Sequence, residues 1–112
     1  PGMIPAGVTD EVGGLIDLFP TLANLAGVEA PDDRVTDGKD LWPLLSGQPG
    51  AVSPHSELYY YSNSTIHAVR QGAWKLRRVS GTSTLYNLDN DIQERTNKVL
   101  DEPALTATLE GV

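Results

Sequence analysis

Cysteine is absent from this 112-residue chain, which excludes a disulfide framework and any thiolate metal site. Cations are scarce: eight Lys and Arg stand against fifteen Asp and Glu, a net charge of −7. Affinity for a phosphate backbone comes from clustered Lys and Arg that displace counterions, so nucleic acid is not expected as a partner. No apolar run approaches the roughly 20 residues that span a bilayer, and no membrane contact is expected. The chain opens on Pro1 rather than Met and carries no charged-then-apolar leader. We read it as a segment of a longer protein whose targeting signal, if any, lies elsewhere. Its length suits one unit, 1–112, with a modest core.

What is present divides into three stretches. Residues 1–54 begin with a Pro- and Gly-rich connector, Pro1 to Gly7. Apolar residues from Val12 to Ala26 then recur at helical spacing, with Gly27 as a C′ stop. Asp17 is placed to cap the main segment, with Pro20 in the first turn. A polar loop, Glu29 to Lys39, ends in Asp37-Gly38, a pair suited to a turn with positive φ, and a short helical turn spans Leu41 to Leu45.

Residues 55–90 change period. Glu57–Tyr61, Ile66–Arg70, Trp74–Val79 and Thr84–Leu88 are short, rich in aromatic and β-branched residues and separated by turn formers, which predicts a four-stranded meander. In Trp74-Lys75-Leu76-Arg77 apolar residues alternate with cations, as in a strand with one buried and one wet face. Lys75 and Arg77 are read as solvated, and the long helix is expected to cover the apolar face. Residues 91–112 read as a polar turn and a C-terminal helix beyond Pro103. The fold class is therefore α+β, a small antiparallel sheet of about four strands packed on helices.

Three collinear segments resemble the final part of sulfatases of the arylsulfatase type, within the alkaline-phosphatase-like superfamily. The first is Pro1-Gly2-x-Ile4-Pro5-x-Gly7 with Ile16-Asp17-Leu18-Phe19-Pro20-Thr21-Leu22 and Leu25-Ala26-Gly27. The second is Asp37 to Gly47. The third pairs Ala68 to Leu76 with Leu85 to Asp91, then Glu94 and Asn97. The resemblance implies the smaller C-terminal subdomain of a sulfatase-type α/β fold, in a parent that hydrolyses sulfate esters. It further implies a parent dependent on Ca²⁺ and on a formylglycine made from Cys or Ser in Cys/Ser-x-Pro-x-Arg, and located in the periplasm or secreted. That motif does not occur here, so no catalytic residue is assigned and the chain alone is expected to be inactive.

Two acidic patterns, Asp32-Asp33-Arg34 and Asp89-x-Asp91, lack further ligands at cation-binding spacing and read as solvated turns. No metal ligand is assigned, and no cofactor is expected within this chain. His55 and His67 have no Ser or Cys partner in a nucleophile setting, and His55 reads as a surface or hydrogen-bonded residue. In sulfatases the loops of this subdomain can border the active-site cleft. By that resemblance Tyr61, Asn63, His67 and Arg70, around the loop from Tyr61 to Thr65, are candidate contacts for a polar substrate. The expected partner is the catalytic domain of the parent. A rival reading is a free-standing interaction module that forms a homodimer or larger oligomer through the apolar face left uncovered. A phosphatase or phosphonate hydrolase of the same superfamily is a weaker alternative.

Overall fold

The computed structural model describes residues 2–112; Pro1, read as the start of the connector, lies outside them. The sequence reads as one unit, whereas packing divides the chain into two compact units, one ending at His55 and one from Ser56 to Val112. The Gly- and Pro-rich stretch before the boundary contributes no buried side chain to either.

In the first unit a 3-10 turn, Leu15–Asp17, leads into α1, Leu18–Leu25. The helical spacing from Val12 overshoots the start, because Gly13 and Gly14 are not helical and Gly14 is fully extended. The stop is as the sequence indicates. Gly27 has φ 70°, and the N–H groups of Val28 and Gly27 donate to the carbonyls of Ala23 and Asn24, a complete Schellman motif. A second helix, α2, spans Trp42–Leu45 with Pro43 in its first turn. It ends the same way, with Gly47 at φ 69° and Gln48 N–H donating to the Pro43 carbonyl.

The second unit is an antiparallel meander in the order β1-β2-β3-β4: β1 Leu58–Ser62, β2 Thr65–Gln71, β3 Trp74–Val79 and β4 Thr82–Asn87. Its hairpins follow from turn chemistry. Ser80 and Gly81 both have positive φ, as a two-residue turn between right-twisted strands demands, and Asn63 and Gly72 supply positive φ at the other two turns. Tyr59, Val69, Leu76 and Leu85 stand in one row across the four strands. Val69, Leu76 and Leu85 from that row meet Leu109 in the core. Leu109 belongs to α3, Pro103–Glu110. Within its own unit the apolar face of the sheet is thus covered by the C-terminal helix.

The outer edge of β4 is closed by a side chain. Leu85 N–H donates to Asn97 Oδ1 at 3.0 Å, and Lys98 N–H donates to the Leu85 carbonyl at 2.7 Å. Asn97 also accepts from Val99 N–H, so one carboxamide stands in for a fifth strand beside the fully buried Leu85. Replacing Asn97 by Ala leaves two backbone donors without an acceptor. The expected loss is about 1–3 kcal/mol, read as a lower urea midpoint at unchanged m-value; an unchanged midpoint would contradict this role.

Candidate functional site

Among the described residues, the most buried polar arrangement is in the first unit. Asp17 is 0% exposed. The cap expected of it is not made, for its backbone is already helical and its side chain makes no cap bond to α1. The carboxylate instead accepts from Gly14 N–H at 2.8 Å, Lys39 N–H at 2.8 Å and His55 Nε2 at 2.7 Å. A carboxylate only accepts, so His55 carries its proton on Nε2. Four residues on, Thr21 donates from its hydroxyl to the Asp17 carbonyl and accepts from Leu41 N–H. A Cβ on Gly38 would overlap the Ile16 carbonyl. That glycine is therefore required by close backbone approach, not by the positive φ its turn-like sequence suggested.

The His55 side chain is only 4% exposed. Of the two flanking hydroxyls, Ser53 donates to the Val12 carbonyl and accepts from His55 N–H, and Ser56 donates to the Glu57 carboxylate, so neither is bonded to the ring. Asp17 and His55 form a structural pair. Burial pushes the Asp17 carboxyl up, but the Lys39 and Gly14 N–H donors and the His55 ring outweigh it and hold it below its ordinary value.

The candidate contact residues lie in the second unit. In a meander the β1/β2 and β3/β4 turns share one end of the sheet, opposite the β2/β3 turn. Tyr61, Asn63 and His67 all lie toward the first end. Tyr61 is exposed on β1, and Asn63 holds the turn at φ 54°. Between Tyr60 and Tyr61 the register skips His67, which is the extra residue of a β-bulge, a device that re-aims a side chain. Arg70 is not part of this group. It lies about 17 Å along the strand from Thr65, near the opposite turn, and its Nε donates to the Gly72 carbonyl at 2.9 Å.

His67 instead shares a hollow of about 180 Å³ with Tyr59, Arg78 and Glu110 over the apolar Leu76 and Leu109. Ser83 donates to the Glu110 carboxylate. Sequence reasoning missed Tyr59 and Arg78, although counting by twos from Trp74 and Leu76 places Arg78 on their face of the strand. Lys75 is not simply solvated either: it is half-buried, 2.6 Å from Glu94 and 4.9 Å above the Tyr60 ring. No cluster of three or more His, Asp or Glu able to hold a metal occurs among the described residues.

No family model matches the chain. It is 47% identical over 75 residues to the steryl-sulfatase of Mus musculus, a match covering 63% of this chain and 12% of that protein. It is 48% identical over 71 residues to arylsulfatase D of Homo sapiens, covering 62% of this chain and 12% of that protein. The solved structure of a 2-O GAG sulfatase superposes with a TM-score of 0.62 at 24% identity, covering 85% of this chain and 22% of that one; this likeness concerns the fold. The chain thus spans 12% of the length of these two curated relatives.

Replacing Asp17 by Ala strands three donors, and the first unit should lose about 3–5 kcal/mol, the cost of breaking a buried pair. Trp42 lies in the first unit and Trp74 in the second, so Trp42 fluorescence in a Trp74→Phe background reads the effect. Because the folded Asp17 carboxyl titrates below its unfolded value of 3.8, its stabilisation is complete above that value and is lost as pH falls through the depressed one. Asp17→Asn should therefore flatten the acid side of the stability profile below about pH 4. An equally steep profile in the variant would assign the acid response to other groups.

Proposed function

Starting from a chain related to the C-terminal part of sulfatases, we propose that it completes an enzyme that hydrolyses sulfate esters and shapes one wall of its substrate pocket. The observation that carries this reading is close sequence identity to two sulfatases over a small share of their length, in a chain with no Cys/Ser-x-Pro-x-Arg motif. The formylglycine and Ca²⁺ of such an enzyme would be supplied by the rest of the protein. This chain's own contribution is the end of the sheet that carries Tyr61, Asn63 and His67. There the tyrosine hydroxyl, the carboxamide and the imidazole can donate to or accept from a polar substrate. Arg70 sits at the other end and is left out of the group. We place the enzyme outside the cytoplasm; no helix among the described residues is long and apolar enough to cross a membrane.

The partner we propose is the catalytic domain of the same protein. Phe19, Leu22 and Leu25 of α1 are 56%, 60% and 48% exposed, and an apolar helix face of this kind is normally covered. That same exposure favours the second reading, self-association of a free-standing module.

Two measurements separate these readings. Light scattering during gel filtration of the 112-residue chain, with an aryl sulfate and Ca²⁺ as the activity assay, should return an inactive chain; sulfate release by a monomer would overturn the division of labour. In the complete enzyme Asn63→Ala and His67→Ala should raise KM several-fold, each lost hydrogen bond costing about 1 kcal/mol, with a smaller effect on kcat. An unchanged KM in both would remove the pocket-wall role.

A further inference from the structure

The second unit holds another hollow, of about 510 Å³, at the end of the sheet away from His67. It is lined by Trp74, Asn87, Asn90 and Thr96, with Asp91, Lys98, Asp101 and Glu102. Its loop is rigid. Asp91 accepts from the N–H groups of Arg95 and Thr96 at 3.0 and 2.8 Å, and Asn97 ties the same loop to β4. Trp74 is half-buried against the core cluster, which fixes the indole in place.

The charges in the hollow select against an anion. Three carboxylates face one ammonium, and that ammonium, on Lys98, is 2.9 Å from Asp101. Sulfated or phosphorylated ligands would find no free cation there. Other polar groups are open to a ligand: the Trp74 indole N–H, the Asn87 amide N–H₂ and, on exposed residues, the Asn90 carboxamide and the Glu102 carboxylate make no side-chain hydrogen bond among the described residues. These supply donors and acceptors side by side around a flat indole. A hydroxyl group both donates and accepts, and a pyranose ring offers an apolar C–H face between its hydroxyls, so the two surfaces complement each other. The volume lies within the range of small-molecule sites.

The geometry points to a binding site for an uncharged saccharide unit, built on Trp74, Asn87, Asn90 and Glu102. It is independent of the pocket-wall reading above and would stand if that reading failed.

The test is ¹H–¹⁵N NMR titration of the chain with methyl β-D-galactopyranoside, methyl β-D-glucopyranoside and N-acetylglucosamine, and with tetramethylammonium chloride as a cationic probe. The expected result is a saturable, millimolar shift of the Trp74 indole and the Asn87 and Asn90 side-chain amides with at least one sugar. Asn90→Ala and Glu102→Gln should each weaken it about tenfold, the equivalent of one hydrogen bond to a polar or charged group. Both positions are on the exposed loop or helix cap, so the variants keep the core, and their spectra away from the hollow verify folding. No shift with any of the three sugars would overturn the proposal, as would saturation by tetramethylammonium alone, which would make this a cation site.

Discussion

The carboxylate of Asp17 organises the first fifty-five residues because so little else there is buried. Every buried apolar side chain among the described residues, from Ala68 to Leu109, belongs to the second unit. In the first unit Asp17, Thr21 and the His55 side chain, all of them polar, are what is withdrawn from water. Three hydrogen bonds accepted by one side chain explain how such a unit keeps a shape: the carboxylate ties the turn before α1 through Gly14, the far end of the polar loop through Lys39, and the last residue of the unit through His55. A buried charge without such partners would be strongly unfavourable, and with them it specifies one arrangement of three distant segments. What it does not supply is hydrophobic stabilisation. The exposed apolar residues of α1 are the counterpart of that lack, and they support the reading in which a larger partner covers them.

The second unit solves the opposite problem. It has a core, supplied by alternate residues of three strands and by Leu109, and its difficulty is the edges of a four-stranded sheet. The two edges are treated differently. On β4 the Asn97 carboxamide and the Lys98 N–H take up both backbone groups of Leu85. On β1 the successive Tyr59, Tyr60 and Tyr61 remain exposed, and the bulge at His67 lies opposite them. The bulge interrupts regular pairing between β1 and β2 and turns the histidine toward the hollow lined by Leu76.

Features whose cause is local were legible in the sequence. Trp74–Val79 is the strand the alternation predicts, end to end. Ser80-Gly81 and Gly27 do what their φ preferences require, and Pro103 opens the last helix. Features whose cause lies elsewhere in the chain were not. Asp17 reads as a cap because a carboxylate before a helix usually is one, but its decisive donor is 22 residues away at Lys39. Gly38 reads as a turn glycine, whereas the carbonyl of Ile16 sets the requirement. Lys75 reads as solvated because alternation gives a face and not the loop that covers it; Glu94 arrives from beyond β4. In the candidate site, Tyr61, Asn63 and His67 lie toward one end of the sheet, while Arg70 is separated from that end by the length of β2.

The same strand length decides how the two hollows of the second unit relate. Arg78 lines one and Trp74 the other, four residues apart on β3, about 13 Å at the rise of an antiparallel strand. They share no lining residue. Substitutions that far apart and without common partners act additively. A loss of substrate affinity from His67 and a loss of saccharide binding from Asn90 would therefore be separate events, and neither could be mistaken for the other. The link between them is the packing of β3 itself, since Leu76 between the two hollows is in the core with Leu85 and Leu109. Only a change at that level, of the size that accompanies truncating a buried leucine, would disturb both ends at once.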